Sequence, residues 1–433
     1  MVALWICGLS CLCMILSVLF FPKLRLGKLC LDTYWLVVLA GAVVMLATGQ
    51  VTLAAVKDSF FSDSAINPLK ILVLFLSMTM LSVFLDEVGF FRYLANAVLK
   101  KAGASQKKLF VILYLTVSVL TVFTSNDIIV LTFTPFLCYF AKNAKIDPLP
   151  YLFSEFIAAN TMSMTLIIGN PTNIYLATAN QVDFLTYARV MVLPTLAASA
   201  VAFAVLWLLF RRRLSQAPQG QPEEVALPDK TSLWVGLAHL LVCTVLLAIG
   251  SYINLPMWLV AAVSALSLLL VTGVISCVKK QRFVYQRRTL RRAPWALVPF
   301  VLSMFILVLG LSSQGVTEQI SAVLGDSAPV WKYGGLSLLA ANLINNIPMS
   351  VLFSDILAPL ADPAKTAAVY ATVIGSNLGA YLTPIGALAG IMWSALLKEQ
   401  GVRLRYGDFV RYGAAVALPT AAAAFAVLAL VLL

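Results

Sequence analysis

Four short polar clusters interrupt an otherwise apolar chain. They are Ser125-Asn126-Asp127; Asn160-Thr161 with Gly169-Asn170-Pro171-Thr172-Asn173; Asn345-Asn346-Ile347-Pro348; and Ser376-Asn377 with Thr383-Pro384-Ile385-Gly386. Their side chains are carboxamides and hydroxyls, with one carboxylate at Asp127. Ser, Asn and Asp are favoured helix N-caps, and the free N–H groups of a helix start also attract anions, so 125–127 suits both capping and binding. Pro171 lacks an N–H and breaks a helix ladder; Thr172 and Asn173 either recover the freed carbonyl bonds or join those carbonyls in holding an ion or solute. The candidate substrate and ion ligands are therefore Ser125, Asn126, Asp127, Asn160, Thr161, Gly169, Asn170, Thr172, Asn173, Asn345, Asn346, Ser376, Asn377 and Thr383. Sodium would fall at Asn126, Asn170, Asn346 and Asn377. No nucleophile triad, phosphate loop or HExxH motif accompanies them, so no enzyme, cofactor or metal-ligand set is expected.

The surroundings of these clusters are those of a membrane. The 433 residues are 61% hydrophobic and 11% charged, against about 25% charged in soluble domains, and the mean hydropathy is +0.95. Seven scattered cysteines with no CxxC pair form no disulfide framework. A net charge of +12 would suggest nucleic acid in a soluble protein. Here the basic residues collect in short segments between apolar runs, so an all-α polytopic membrane protein is expected, with no nucleic-acid partner.

A bilayer core of about 30 Å needs about 20 apolar helical residues. Runs of that order lie at 3–21, 31–56, 68–88, 184–211, 232–250, 256–278, 294–313 and 411–433. Stretches 147–178 and 364–398 are longer and broken by Gly, Pro and Asn. Stretches 108–141 and 331–361 are apolar arms bent around Ser125-Asn126-Asp127 and Asn345-Asn346. The arms are short for a full crossing, and amide-bearing tips at membrane depth must line an enclosed cavity, so both read as re-entrant hairpins. With 22–30 cytoplasmic, every basic residue falls inside except Lys57, Lys70, Arg189, Lys332 and Lys365, as the positive-inside rule requires. The expectation is ten spans plus two hairpins in the cytoplasmic (inner) membrane, with both termini outside. His239 and Cys7, Cys11 and Cys138 read as packing residues, Asp86 and Glu87 as solvated at a span end, and 279–292 as a basic run touching anionic lipid.

The clusters repeat. Leu76-Ser77-Met78 recurs as Leu302-Ser303-Met304, with Gly89 and Gly315 each twelve residues after the serine. Asn126 then pairs with Asn346, and Asn160 with Asn377; nine residues after each of the latter comes Gly169 or Gly386. The spacing divides the chain into a first repeat, 1–210, a cytoplasmic linker, 211–231, and a second repeat, 232–433. About five spans and one hairpin per copy is an odd number of crossings, so the second copy is inverted. Inverted repeats with discontinuous helices place a solute site near the midplane in many secondary transporters. A channel built on the same repeat is the rival class.

On these residues the chain resembles the arsenite efflux pump family, within the ion transporter superfamily that includes citrate-type carriers. Tyr370 to Trp393, YATVIGSNLGAYLTPIGALAGIMW, is similar to the family's Y-A-N-V-I-G-C-D-L-G-x-K-I-T-P-I-G-S-L-A. Asn126-Asp127 with Leu131-Thr132 and Pro135 resembles its N-D-G-A-A-L-I-L-T-P, Asn345 to Pro348 its N-N-M-P, and Leu290 to Trp295 its R-x-A-P-W. The resemblance implies an elevator-like antiporter of arsenite or a related small oxyanion or neutral oxyacid, coupled to H⁺ or Na⁺ and homodimeric. Asn377 and Asn160 stand where the pumps carry acids, and Gly169-Asn170-Pro171-Thr172-Asn173 replaces their S-N-L-V-N. A carboxamide carries no titrating proton, which leaves Asp127 as the proton candidate. Na⁺ coupling with a carboxylate or inorganic anion is the alternative, although the dicarboxylate branch's Ser-Asn-Thr motif is absent.

Overall fold

The computed structural model describes residues 2–433 apart from 22, 27–28, 62–66, 104, 216–228, 251–252, 254 and 281; Lys28 and most of the expected linker lie outside the described residues. The first half runs α1 Val2–Phe20, a hairpin of β1 Lys23–Leu26 and β2 Leu29–Asp32, α2 Thr33–Ala47, α3 Leu53–Phe61, α4 Pro68–Glu87, α5 Phe90–Ala102, α6 Gln106–Phe123, α7 Asn126–Asn143, α8 Leu149–Met162, α9 Pro171–Ala179 and α10 Phe184–Phe210. The second runs α11 Lys230–Gly250, α12 Met257–Val278, α13 Val284–Arg292, α14 Leu297–Ser312, α15 Val316–Leu324, α16 Pro329–Ile344, α17 Asn346–Leu357, α18 Ala364–Gly379, α19 Leu388–Glu399 and α20 Tyr406–Val431.

Each helix of one half has a counterpart ten places later. The packing obeys the same exchange: α2 lies on α14 and α12 on α4, α9 lies on α17 and α19 on α7, and α10 packs on α20. The landmark glycines occupy equivalent turns, Gly89 at φ 89° and Gly315 at φ 68°, where a Cβ would be strained. A further landmark, overlooked in the sequence, is Leu193-Pro194-Thr195 in α10, which recurs as Leu418-Pro419-Thr420 in α20. Both prolines are interior to their helices.

Among the described residues, seven helices are long and apolar enough to cross a membrane. The two long interrupted stretches are pairs of shorter helices. The first breaks at 3₁₀ turns over Ser163–Thr165 and Ile167–Gly169, between α8 and α9; the second breaks between α18 and α19. Helices α6–α7 and α16–α17 are the hairpins, and their tips end inside protein, with Asn126 1% and Asn345 1% exposed. Arm α6 is longer than the sequence reading expected: at 18 residues it is itself among the seven helices of spanning length.

Two sequence expectations need correction, while His239 packs as expected. Run 31–56 is not one span: it holds β2, α2 and α3, because the turn at Thr48–Gly49 carries Gly49 at φ 69° and ends α2. The β-hairpin had no alternating pattern long enough to announce it. Asp86 and Glu87 are not solvated. Asp86 is 4% exposed; it accepts from Thr132 Oγ1 at 2.8 Å and pairs with Arg292 at 2.8 Å, and the same guanidinium lies 2.6 Å from Glu87. The short helix α13 explains this, since it packs on α4 and carries Arg292 over the acids. His239 bridges α11 and α12, with Nδ1 2.8 Å from Val235 O and Nε2 3.1 Å from Ser267 Oγ.

Candidate functional site

At the first hairpin tip, Asn126 opens α7 and turns its amide into the protein, where Nδ2 donates to Asn160 Oδ1 at 3.0 Å. Asn160 lies in the last turn of α8 and anchors itself by donating to Phe156 O at 2.8 Å. Ser125 is the N-cap of α7, yet its side chain makes no capping bond. Its Oγ and the Asn126 Oδ1 are buried without a hydrogen-bond partner among the described residues. Buried polar atoms are rarely left so.

The two halves are joined at Asn377, in the last turn of α18. Its Oδ1 lies 2.9 Å from both Asn170 Nδ2 and Ser163 Oγ, and its Nδ2 donates to Asn173 Oδ1 at 2.7 Å and to Val373 O at 2.8 Å. Ser163 Oγ also lies 2.9 Å from Asn160 O, and its single proton serves one of these acceptors at a time. Asn173 in turn donates to Ser163 O at 2.8 Å, and Asn170 Oδ1 accepts from Thr172 N and Oγ1, both at 3.1 Å, capping α9. Thr161 meets Tyr381 Oη at 3.3 Å. The structure thus gathers Asn170, Thr172, Asn173 and Asn377 into one network in which the Asn377 amide uses its full capacity. Ser376 is buried beside it, with its Oγ unpartnered.

The second tip is not the mirror of the first. Asn346 does not reach Asn377; its backbone N–H donates to Gly386 O at 3.0 Å, while its Oδ1 stays buried and unpartnered. Asn345 holds a left-handed φ of 70° and donates from Nδ2 to Ile385 O at 3.0 Å. Asn342, absent from the sequence candidates, completes the seam. It donates to Gly379 O at 3.0 Å and accepts from Thr383 N at 3.0 Å and Thr383 Oγ1 at 2.7 Å. The second hairpin is therefore stitched to its broken helix at three residues, the first tip at one. The available sequence signal was an Asn in an apolar arm, one helical turn before the tip. In the first half the matching position is Val122.

Gly169 and Gly386 occupy equivalent close approaches. A Cβ on Gly169 would collide with Ser163 O, and one on Gly386 would lie 2.6 Å from Gly379 O and 2.7 Å from Asn342 Oδ1. Gly386→Ala is expected to destabilise the fold by about 1–3 kcal/mol. It should lower the thermal midpoint of the detergent-solubilised protein, whereas Gly335→Ala, with open space around it, should not.

Asp127 is separated from the amide network. It faces a cavity of about 350 Å³ between α7, α19, α4 and the start of α2, next to Thr79, Phe75 and Tyr34. Thr79 is 5% exposed and its Oγ1 is unpartnered. The exposed charged residues on the cavity lining are Lys23, Arg292 and Glu399, and the more buried part holds the carboxylates of Asp32 and Asp127, the hydroxyls of Tyr34 and Thr79, and apolar walls. Apolar walls with a few placed polar groups are the usual make-up of a small-molecule pocket. The residue next to Asp127 is Asn126, with its free carboxamide oxygen.

Two hairpins, two broken helices and buried carboxamides at their ends define a polytopic membrane transporter architecture. The solved structure of the YdaH transporter of Alcanivorax borkumensis shares this fold, with a TM-score of 0.53 at 15% identity over 100% of this chain and 96% of that one. The sequence profile described as "Citrate transporter" matches residues 33–373. The arsenical pump membrane protein of Escherichia coli strain K12 is 30% identical over 371 residues, covering 82% of this chain and 85% of its own length. An Escherichia coli protein of the same description is 28% identical over 408 residues, covering 90% and 92%. The chain belongs to the citrate transporter family, in the group that includes the arsenical pump membrane proteins.

Proposed function

We propose that this protein is a secondary active transporter of a small oxyanion or neutral oxyacid, with arsenite as the first substrate, and that the solute binds at the first hairpin tip. The observation that carries the reading is the juxtaposition of the 350 Å³ cavity, Asp127 and the unpartnered Thr79 Oγ1 with the Ser125-Asn126 tip. The arsenical pump relatives support the substrate. Proton coupling is assigned to Asp127, the one carboxylate among the candidate ligands; Asn160 and Asn377 cannot titrate. The second hairpin, stitched through Asn342 and Asn345, braces the broken helix whose outer part, α19, lines the cavity.

The reading includes two inverted repeats, 1–210 and 232–433, joined by 211–231. They move elevator-like in a homodimer, in the inner membrane, with both termini outside. The charge distribution supports that orientation, in which a cavity rim holding Lys23, Arg292 and Glu399 opens to the cytoplasm. A second reading, sodium-coupled uptake of a carboxylate or inorganic anion, is favoured by one observation. The tips keep equivalent buried oxygens, Asn126 Oδ1 and Asn346 Oδ1, without donors, and hard oxygen ligands suit a sodium ion.

Counterflow in proteoliposomes separates these. Labelled arsenite is expected to exchange saturably against unlabelled arsenite, and to accumulate under an imposed proton gradient but not a sodium gradient. Saturable exchange of a carboxylate with none of arsenite would sink the substrate assignment. Flux that never saturates, with single-channel currents, would make the protein a channel.

A further inference from the structure

Helix α13 divides its arginines between two faces. Gln286, Thr289 and Ala293 are buried, and Tyr285 meets Phe84 of α4 edge-on with ring centroids 6.4 Å apart. Beside that buried stripe, Arg288 and Arg292 lie one helical turn apart and take the acids of α4: Arg288 is 3.7 Å from Glu87, and Arg292 is 2.8 Å from Asp86. Arg287 and Arg291, also one turn apart, project from the adjacent face, about 100° round the helix, and Arg282 lies just before its start. Among the described residues none of these three forms an ion pair. They converge with Phe283, Val284 and the exposed side of Arg288 on a groove of about 810 Å³.

The same side of the molecule carries apolar groups at exposed positions. Phe283 is 50% exposed and Leu290 43%. Trp295, just past the helix, is 49% exposed and donates from Nε1 to Leu290 O at 2.7 Å. On a helix of 3.6 residues per turn, Phe283, Arg287, Leu290 and Arg291 share one side. A soluble anion would need the guanidiniums alone. Apolar side chains interleaved with unpaired cations, next to an exposed tryptophan, instead match the bilayer interface, where acyl chains and phosphates meet.

We infer that the groove formed by Arg282, Arg287 and Arg291 with Phe283 is a binding site for the headgroup of an anionic phospholipid. The guanidiniums take the phosphate oxygens as paired donors, and Phe283 and Leu290 lie along the first methylenes. A lipid seated there pins the outer face of α13 while its inner face holds Arg292 on Asp86. Because Arg292 and Pro294 line the solute cavity, occupancy of the groove steadies one wall of that cavity. The inference stands whatever the solute is.

The test is native mass spectrometry of the purified full chain titrated with cardiolipin, with phosphatidylcholine and inorganic pyrophosphate as parallel probes. Cardiolipin is expected to be retained as a discrete adduct well above phosphatidylcholine. The variant R282Q/R287Q/R291Q should weaken it roughly a hundredfold, at roughly fivefold per interfacial arginine. Its thermal midpoint without lipid should match the unmodified chain, since none of the three side chains has an acidic partner to lose. If the triple variant does not fold, Arg291→Gln alone should still weaken retention roughly fivefold. Undiminished retention in the folded variant overturns the site, and pyrophosphate displacing cardiolipin at equal concentration overturns the lipid assignment.

Discussion

Asp127→Asn is expected to abolish proton-driven accumulation of solute while leaving exchange at equal pH nearly intact. The amide has the shape of the carboxylate and keeps a hydrogen-bonding end toward Thr79 and the cavity, but it has no proton to give or take. Accumulation in proteoliposomes under an inward or outward pH gradient should fall by roughly 10²-fold or more, the scale on which losing a positioned proton carrier acts. Counterflow of arsenite with no gradient should stay within about threefold, because binding rests on the hydroxyls, Asn126 and the cavity walls as well. Accumulation that survives the substitution would remove Asp127 from the coupling mechanism and favour sodium at the two tip amides. Loss of exchange and accumulation together, in a folded protein, would make Asp127 a solute ligand and leave coupling elsewhere.

Asn377→Asp should yield a fold that is lost on raising the pH. The resemblance makes this substitution a return toward the pumps' acidic residue, yet the neighbours here are set for an amide. As a protonated acid, the new side chain donates its O–H to Asn173 Oδ1 and accepts from Asn170 and Ser163 at its other oxygen. Only the bond to Val373 O is missing, about 1 kcal/mol. As a carboxylate it loses both donors and sets an anion against two oxygens, Asn173 Oδ1 at 2.7 Å and Val373 O at 2.8 Å. A buried charge left without compensation costs about 3–5 kcal/mol. The thermal midpoint and counterflow rate of the variant should approach those of the unmodified protein near pH 5.5 and fall steeply by pH 8. Asn377→Ala should lose the network at every pH. A flat pH profile for the acidic variant would mean that the amide network does not hold the halves together.

Much of this architecture was legible in the residues. Apolar runs of bilayer length, Gly-Asn-Pro breaks and the ordered recurrence of Ser77, Asn126 and Asn160 as Ser303, Asn346 and Asn377 are local signals, and they survive without knowledge of packing. Helix-breaking residues act through the backbone of their own segment, so both broken helices and both hairpin tips fall where the sequence puts them. Less regular features escaped. The β-hairpin of Lys23–Leu26 and Leu29–Asp32 is two four-residue strands, too short for a period to establish itself. The burial of Asp86 depends on Arg292, more than 200 residues away in the chain.

Repetition in the sequence implied two equivalent tips, and the folded chain decided otherwise. Asn160 answers Asn126, but Asn377 turns from Asn346 to the first half's Asn170 and Asn173, while Asn342 and Asn345 fasten the second tip to carbonyls of its own break. The sequence by itself determined a membrane-spanning, twice-repeated helical chain with carboxamides at its breaks, because hydropathy and backbone propensity are properties of neighbouring residues. Only the tertiary structure decided which amides are spent on one another and which oxygens stay free, because a carboxamide has a fixed number of donors and acceptors and takes whichever partners the packing brings within 3 Å.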